Sequence, residues 1–181
     1  NGNEVTVLTG LPNYPEGYVQ KEFKYFKKRN EVINGVNVIR TFEIGRRKST
    51  IFLMLNYISF AISGSIKALF LKKDFDVVFV NQLSPVFMAL PAIMYKIKNK
   101  KKIVLYCLDL WPESLTVKSI SKESKIYMYV LSISKWIYKK ADKILVTSNM
   151  FKKYFDEILD IDSSKIDYLR SEENTSELQS L

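Results

Sequence analysis

Two carboxylates and a tryptophan follow directly on an apolar segment that is typical of a buried strand. Asp109, Trp111 and Glu113 lie in the stretch D-L-W-P-E-S at 109–114, after a strand predicted over 102–107 that Pro112 prevents from continuing. Ligands of open α/β sheets bind outside the carboxyl ends of the strands. A carboxylate there can hydrogen-bond to a hydroxyl group and a flat ring can stack on a sugar, so the stretch predicts a site for a polar, ring-shaped ligand. The alternative is a turn with a half-buried tryptophan and two solvated acids.

The composition excludes several kinds of site. The chain has 181 residues, of which 47% are hydrophobic, and this suits one globular domain or slightly more. It contains no histidine, so a Ser–His or Cys–His nucleophile pair is excluded, and acid–base chemistry falls to carboxylates, lysine or tyrosine. The single cysteine, Cys107, excludes a disulfide framework and a thiolate metal cluster. Because the glycine motifs of dinucleotide folds and phosphate loops are also missing, the sequence predicts no metal and no bound cofactor.

Both ends of the chain are unusual. The chain opens N-G-N-E and enters a predicted strand at once, so we expect that an N-terminal piece of the domain is missing. Residues 170–181 are polar, share no pattern with the preceding chain and resemble the translation of a sequencing adapter, so we treat them as an artefactual tail behind a domain at 1–169. The tail carries one arginine and three glutamates, so residues 1–169 carry a net charge of +9 − (−2) = +11.

Strands and helices alternate between residues 4 and 169. Strands are predicted at 5–9, 36–42, 76–81, 102–107, 143–147 and 166–169, and helices at 49–72, 85–98, 124–141 and 149–160. Several strands are continuous apolar runs, which are typical of parallel strands covered on both faces. Asn34-Gly35 predicts a two-residue hairpin turn. Together these patterns predict an α/β fold with a doubly wound, mostly parallel, Rossmann-like sheet.

Residues 51–71, within the helix predicted at 49–72, form a stretch that is long and apolar enough to be a candidate membrane span. At helical spacing it has an apolar stripe and a polar stripe. The polar stripe contains Lys67, and a lysine costs about 2.5–3.5 kcal/mol near a bilayer centre. We therefore predict a helix that lies on a sheet with its polar stripe in water, and a span is the alternative. The apolar stripe consists of Ile51, Leu55, Ile58, Ile62, Ile66 and Leu69, and the polar stripe of Asn56, Ser59, Ser63 and Lys67.

Basic residues share the helix predicted at 124–141 with aromatic residues. Lys135, Trp136, Lys139 and Lys140 form one such group, and a mixture of lysine and tryptophan suits an anionic membrane surface. The alternative is a solvated face above a stripe of core residues. No groove-reading motif accompanies the positive charge, so no nucleic-acid partner is predicted.

Four stretches, in order along the chain, resemble a known enzyme family. They are V-T-V-L-T-G-L-P-N-Y-P-E-G at 5–17, N-G-V-N-V-I-R at 34–40, D-L-W-P-E-S at 109–114 and A-D-K-I-L-V-T-S-N at 141–149. Over residues 4–169 the chain is similar to the family 4 retaining glycosyltransferases, and more narrowly to the bacterial members that build O-antigen, capsule or exopolysaccharide.

The resemblance implies a GT-B architecture of two Rossmann-like domains. This chain would form most of the N-terminal, acceptor-binding domain and would lack the first strand of its sheet. In that case the strand at 5–9 either pairs with 36–42 apart from the other strands or closes directly onto 76–81. The family further implies a nucleotide-sugar donor held mostly by a missing C-terminal domain, and a polyprenyl-linked saccharide acceptor. The enzyme would be cytoplasmic and peripheral at the inner face of the cell membrane, and this chain alone is expected to be inactive.

The resemblance also implies roles for individual residues. Asp109 is the catalytic candidate, which would orient the acceptor hydroxyl or stabilise positive charge on the transferred sugar. Trp111 can flank the acceptor or pack beneath the loop, and Ser84 before Pro85 also suits a cap. A non-catalytic, membrane-associated α/β binding module is the alternative function. The acceptor-binding candidates are Trp111, Glu113, Gln82, Ser84, Asn13 and Tyr14, and Ser148 and Asn149 are expected to cap a helix.

Overall fold

The computed structural model describes residues 2–25, 27–118 and 120–169. The chain divides after Lys72 into an N-terminal unit and a C-terminal unit, each of them compact. Strands and helices alternate in the predicted order, and the α/β fold class is confirmed. The tail at 170–181, which we expected to be artefactual, lies outside the described residues.

The N-terminal unit contains a three-stranded sheet and one long helix. Its strands are β1 (Thr6–Thr9), β2 (Asn30–Ile33) and β3 (Val36–Arg40), and its helix is α1 (Thr50–Phe70); a 3-10 turn covers Lys21–Phe23. The strand order is β1-β3-β2, with β1 parallel and β2 antiparallel to β3. The predicted hairpin is confirmed, because Asn34 and Gly35 join β2 to β3 with φ angles of 49° and 81°, which a type I′ turn requires.

The C-terminal unit contains a four-stranded, all-parallel sheet with flanking helices. Its strands β4 (Val77–Gln82), β5 (Lys102–Cys107), β6 (Lys143–Val146) and β7 (Ile166–Tyr168) pair in that order. The helices are α2 (Leu90–Asn99), α3 (Lys125–Lys140) and α4 (Asn149–Glu157), with 3-10 segments at Val86–Ala89, Glu113–Lys118 and Ser163–Lys165. Since all four strands run the same way, the loops that follow β4, β5 and β6 leave the sheet at one edge.

The strands belong to two sheets, whereas the sequence predicted one. Within the described residues, β1 pairs with β3 and β4 pairs with β5, and β1 and β4 do not pair with each other. Of the two pairings expected for a sheet without its first strand, that of β1 with β3 is observed, and no pairing of β1 with β4 is found among the described residues. Val77 and Phe79 on β4 are more than half exposed, so the prediction that the apolar runs are covered on both faces is wrong for this strand.

The core of the C-terminal unit lies on one face of its sheet. Alternate residues of β5, namely Ile103, Leu105 and Cys107, are buried there, and each buried isoleucine or leucine side chain stabilises the fold by about 1.5–3 kcal/mol. Tyr138 of α3 packs edge-on against Phe155 of α4 at 4.8 Å between ring centroids. These contacts hold α3 and α4 against the sheet and so fix the loops at its carboxyl edge.

Serine side chains cap the N-termini of the two helices that begin near this edge, α3 and α4. Ser124 Oγ accepts a hydrogen bond from the backbone N–H of Tyr127 at the start of α3. Ser148 Oγ accepts one from the backbone N–H of Phe151 at the start of α4, so the predicted cap at Ser148 is confirmed, while Asn149 is the first helical residue. Such caps satisfy backbone donors that the first helical turn leaves without partners.

The orientation predicted for the helix at 49–72 is wrong. In α1 it is the polar stripe that faces its own unit: Asn56 is 1% exposed and donates to the carbonyl of Ile44 at 2.6 Å, and Ser59 Oγ accepts from the N–H of Ile44 at 3.0 Å. Residues 42–46 are not part of a strand, so side chains of α1 supply hydrogen-bond partners for the backbone N–H and carbonyl of Ile44. All six residues of the apolar stripe are exposed instead, from 37% at Leu69 to 69% at Ile51.

The length and composition of α1 are those of a helix that could cross a membrane. Among the described residues, α1 is the one helix that is both long enough and apolar enough, and 22% of its 18-residue apolar stretch is buried. Both properties are also found in helices of soluble proteins, and the buried Asn56 ties α1 to the N-terminal unit.

Candidate functional site

The Asp109 loop, residues 108–114, leaves the sheet at the carboxyl end of β5 and folds back on its own carboxylate. Asp109 Oδ1 accepts a hydrogen bond from Ser114 Oγ at 2.6 Å, and Oδ2 accepts one from Trp111 Nε1 at 3.2 Å. The side chain is partly exposed. Each carboxylate oxygen has a further lone pair, so the group can accept a hydrogen bond from a ligand hydroxyl while its loop holds it in place.

Trp111 packs beneath the loop rather than standing in solvent. Its side chain is 8% exposed and its ring lies 6.1 Å from that of Phe87. The indole Nε1–H is shared between Asp109 Oδ2 and Ser84 Oγ, which is 3.0 Å away. Of the two arrangements expected for Trp111, the structure shows packing beneath the loop.

Ser84 has a different partner from the one that the sequence predicted. The 3-10 segment at Val86–Ala89 begins after Pro85 and has no side-chain cap, so the prediction that Ser84 caps it is wrong. Ser84 Oγ instead accepts from the Trp111 indole and thereby connects the loop after β4 to the loop after β5. The structure therefore does bring Ser84, Trp111 and Asp109 together, as one hydrogen-bonded group.

Gln82 supports this group from below. It is completely buried at the end of β4, and its Nε2 donates to the carbonyl oxygens of Leu83 at 2.8 Å and Asp109 at 3.0 Å. Its Oε1 accepts a hydrogen bond from the Tyr138 hydroxyl at 3.2 Å. Because Gln82 is completely buried and both its amide nitrogen and its amide oxygen have protein partners, it presents no exposed atom to an acceptor in this structure.

Glu113 starts the 3-10 segment that follows and is paired with a lysine. Its carboxylate accepts hydrogen bonds from the Tyr127 hydroxyl at 2.8 Å and from Lys122 Nζ at 2.9 Å. Burial acts to raise the pKa of Glu113, but the hydrogen bonds from Lys122 and the neighbouring tyrosines outweigh it and lower the pKa overall. Glu113 is therefore held as a carboxylate, with its charge balanced by Lys122.

A cavity of about 650 Å³ opens beside Glu113. Among the predicted site residues only Glu113 lines it, and Asp109, Trp111, Gln82 and Ser84 do not. The sequence analysis named Ser148 only as a helix cap and did not predict Lys122, Tyr127 or Tyr154 at a site; the two tyrosines come from α3 and α4, which the fold brings together. The lining residues are Leu110, Glu113, Lys122, Tyr127, Leu131, Ser148, Met150, Phe151, Tyr154 and Ile158.

Asn13 and Tyr14 belong to the N-terminal unit, in the loop after β1. Asn13 is 5% exposed, and its Nδ2 donates to the carbonyl of Leu11 at 2.8 Å and to Glu43 Oε1 at 3.3 Å. Tyr14 is 77% exposed. The sequence analysis missed Glu43. Asn13 follows β1 and Glu43 follows β3, and because these two strands are parallel, both residues lie beyond the same edge of the sheet.

Glu43 is the centre of a polar cluster in that unit. Its carboxylate also accepts a hydrogen bond from Asn56 of α1, and burial raises its pKa although these amide donors oppose the shift. A Cβ at Gly10 would come within 1.5 Å of Oε2, so any other residue there would have to displace the Glu43 carboxylate from its hydrogen bonds with Asn13 and Asn56. In the described part of the chain, Oδ1 of Asn13 and Oδ1 of Asn56 are buried without a hydrogen-bond partner.

The predicted membrane-surface residues lie near the end of α3, and two of their lysines share the one carboxylate of Asp160. Lys139 and Lys135 pair with Asp160 at 2.9 and 3.4 Å, and their hydrogen bonds lower the pKa of Asp160. Lys140 Nζ lies 5.3 Å from the ring centroid of Trp136, which is 45% exposed. Trp136 and Lys140 therefore present an aromatic ring and a cation together at the surface.

Cys107 is fully buried beneath the Asp109 loop. Its thiol donates to the backbone carbonyl of Asp109 at 3.4 Å and lies 3.9 Å from the Tyr138 hydroxyl. Burial raises the pKa of the thiol to about 12, so Cys107 is a packing residue and not a nucleophile. Within residues 2–25, 27–118 and 120–169, no group of three or more cysteine, aspartate or glutamate side chains could hold a metal ion.

A comparison with known protein families identifies the family of this chain. A family model described as Glycosyltransferase Family 4 matches residues 1–170, which is nearly the whole chain. No curated protein is significantly similar to the chain. The matched region contains both units, the parallel sheet and the carboxylate at its carboxyl edge. The chain therefore belongs to glycosyltransferase family 4.

Proposed function

We propose that this chain is the acceptor-binding part of a retaining bacterial glycosyltransferase. The parent enzyme transfers a sugar from a nucleotide-sugar donor to a lipid-linked or saccharide acceptor during the synthesis of O-antigen, capsule or exopolysaccharide. Membership of family 4 over residues 1–170 is the observation that carries the transferase activity. The pathway and the acceptor follow from the resemblance of the four sequence stretches to bacterial enzymes of this kind.

Asp109 is the residue to which we assign the chemistry. Its carboxylate stands partly exposed at the carboxyl end of β5, held by Ser114 and Trp111. A carboxylate fixed in this way can orient the acceptor hydroxyl, or stabilise the positive charge that grows on the transferred sugar, without reorganising during the reaction. We assign no nucleophilic role to Glu113, because Lys122 and Tyr127 already occupy its carboxylate. Asn13 and Tyr14 stay weaker candidates for acceptor contacts.

Residues 1–169 would then form an incomplete N-terminal GT-B domain, and residues 170–181 an artefactual tail. The nucleotide-sugar is held mostly by a second domain, so the chain alone binds acceptor and transfers no sugar. Attachment at the inner face of the cell membrane would come from the +11 charge of residues 1–169 and from Trp136 and Lys140 on α3. No nucleic acid takes part.

Reading the encoding gene on both sides of this segment tests the proposal directly. We expect a glycine-containing strand and loop upstream and a nucleotide-sugar domain downstream. The rejoined protein should transfer a radiolabelled sugar from a nucleotide-sugar to a short-chain polyprenyl-diphosphate saccharide, and the 181-residue chain should not. A rejoined protein that folds but transfers none of the common hexoses or their N-acetyl forms would count against the transferase proposal.

The second candidate function is a non-catalytic module that binds membranes. The exposed apolar stripe of α1 favours it, since six apolar side chains on one helix face are unusual for a surface in water. Flotation with vesicles separates the two functions. A module of this kind would float with neutral phosphatidylcholine vesicles through α1, whereas the electrostatic attachment proposed above requires anionic lipid and is reversed by salt.

A further inference from the structure

The helices α2 and α3 end beside each other at the amino edge of the four-stranded sheet, opposite the edge that carries Asp109. Lys96 Nζ of α2 donates to the carbonyl of Lys140, the last residue of α3, at 2.9 Å and to Asp142 Oδ2 at 2.6 Å. The same carboxylate oxygen accepts a hydrogen bond from the backbone N–H of Ile103 at 2.7 Å. Asp142 therefore joins the ends of both helices to the start of β5.

The lysines of this edge fall into two groups. Some pair with aspartates, as Lys96 does with Asp142. Lys100, Lys102 and Lys140 are exposed instead, and within the part of the chain that the structure describes they form no ion pair. Three positive charges without a paired carboxylate thus lie on one edge of the sheet, and such a surface attracts anionic partners.

Lys100 occupies a backbone position that favours glycine. It ends α2 with a φ of 55°, in the left-handed region, and its N–H donates to the carbonyl of Lys96 at 2.7 Å. Glycine adopts this conformation without steric cost, whereas for a lysine it is costly. The exposed side chain makes no hydrogen bond or ion pair among the described residues. It therefore adds charge at this edge and no polar contact that stabilises the fold.

Two exposed apolar side chains accompany these charges. Ile97, near the end of α2, is 62% exposed, and Trp136, one turn before the end of α3, is 45% exposed. Lysines beside a tryptophan and an aliphatic side chain suit the interface of an anionic bilayer, where the lysines meet headgroups and the apolar groups enter between them. The amino-edge surface consists of Ile97, Lys100, Lys102, Trp136 and Lys140.

We propose that the amino-edge surface docks the chain on an anionic membrane and turns the carboxyl edge of the sheet away from the bilayer. The inference rests on the peripheral attachment proposed above, to which it adds α2, the start of β5 and an orientation; it does not depend on sugar transfer. Since β5 has six residues, each advancing about 3.3 Å, Asp109 stands about 20 Å from the docked edge. A lipid-linked acceptor would then reach Asp109 through its saccharide.

Two charge-matched double variants of the full 181-residue chain test the location. Lys100→Gln with Lys102→Gln removes two charges from the amino-edge surface, and Lys125→Gln with Lys152→Gln removes two exposed charges near the starts of α3 and α4. With vesicles of phosphatidylserine and phosphatidylcholine, the first pair should weaken binding about 25-fold, because each lysine near the membrane contributes about fivefold. The second should weaken it less than about threefold, because charges about 20 Å away are screened at about 0.1 M salt. Equal weakening by both pairs would leave the electrostatic attachment in place and overturn the amino-edge surface as its location.

Lys100→Gly separates binding from stability. Glycine relieves the left-handed backbone, so the urea midpoint of unfolding should stay the same or rise, while binding to the same vesicles falls about fivefold. Unchanged vesicle binding in this variant would overturn the proposal.

The two tryptophans of the chain report the orientation. Trp136 belongs to the amino-edge surface, whereas Trp111 is 8% exposed beneath the loop at the opposite edge. With saturating anionic vesicles that contain brominated lipid, tryptophan fluorescence should be quenched in the unchanged chain and not in Trp136→Phe. Quenching that persists in Trp136→Phe would place Trp111 near the bilayer and overturn the proposed orientation.

Discussion

The hydroxyl group of Ser114 donates a hydrogen bond to the carboxylate of Asp109 across 2.6 Å, five residues along the chain. The same hydroxyl oxygen lies 2.7 Å from the carbonyl oxygen of Leu110, so its one proton is shared between the two acceptors. The Asp109 carboxylate therefore helps to hold its own loop in place, in addition to any catalytic role that it has. Experiments on Asp109 must separate the two, and Ser114 provides the means.

Replacing Asp109 and Ser114 separately distinguishes chemistry from loop support. In the complete parent enzyme, Asp109→Ala should lower turnover by about two orders of magnitude, the scale of one lost transition-state stabiliser. Ser114→Ala removes one support and keeps the carboxylate, so it should reduce the free energy of unfolding by about 1 kcal/mol and lower turnover less than tenfold. Equal losses of turnover in the two variants, measured with native donor and acceptor, would show that Asp109 acts through the loop alone.

Glu113 predicts a pH dependence of stability. The pKa of Glu113 is lowered from 4.5 in the folded chain, so between the two values the unfolded chain binds more protons than the folded chain. The stabilisation is therefore present above about pH 4.5 and is lost as the pH falls through the folded pKa. Glu113→Gln should lower the free energy of unfolding by about 1 kcal/mol at pH 7. It should have no effect at a pH below the folded pKa of Glu113. Urea unfolding measures both. A cost that does not change with pH would mean that the ion pair with Lys122 contributes nothing.

Gly10 and Glu43 should be coupled in stability. Gly10→Ala places a Cβ within 1.5 Å of Glu43 Oε2, so we expect it to destabilise the chain by about 1–3 kcal/mol, as other overpacked sites do. In a Glu43→Ala background the same substitution should cost much less. The double-mutant cycle, followed by thermal unfolding, measures the coupling. Neither Gly35→Ala nor Gly2→Ala is a suitable control, because φ angles of 81° and 76° would add strain of their own, so the Glu43→Ala single variant serves as the reference.

The two stripes of α1 predict opposite effects of substitution. Asn56→Ala removes a buried amide that serves Ile44 and Glu43, and it should cost about 1–3 kcal/mol of stability. Ile62→Ser on the exposed stripe should cost less than about 0.5 kcal/mol, and it should weaken binding to phosphatidylcholine vesicles if α1 contacts lipid. A loss of several kcal/mol on Ile62→Ser would mean that the apolar stripe is covered in solution.

Asp160 should oppose binding to anionic vesicles. It pairs with Lys135 and Lys139, so Asp160→Asn should strengthen binding at low salt by about 1 kcal/mol, and Lys140→Gln should weaken it by a similar amount. Glu22→Gln in the N-terminal unit makes the same charge change at the exposed pair with Lys28 and serves as the control. If all three variants bind alike in a sedimentation assay, the end of α3 is only a solvated face.

Local sequence features were sufficient to predict the strands and the hairpin. The continuous apolar runs place β4, β5 and β6 within about a residue of their observed ends, since short runs of β-branched and other apolar residues are typical of strands. Asn34-Gly35 predicts its turn because few other residue pairs tolerate two positive φ angles. The position of Asp109 at the end of β5 follows from the same pattern.

Contacts between distant segments were not predictable from the sequence. The polar stripe of α1 turns inward because the backbone at Ile44 needs hydrogen-bond partners, and nothing in the helix itself reports that need. The partners of Glu113 come from Lys122 and from Tyr127 on α3, whose approach depends on how the helices pack on the sheet. Gln82 precedes a loop in the sequence, and only the fold reveals that the side chain points into the core.

The burial of Cys107 makes the chain convenient for site-directed labelling. It is the only cysteine in the sequence, and with a pKa raised to about 12 it stays protonated at the pH of maleimide coupling. A cysteine introduced at the exposed Met150 would then react alone and carry a fluorophore at the mouth of the cavity. A reporter placed there requires no prior removal of the native thiol, so the core beneath Asp109 stays intact in every labelled variant.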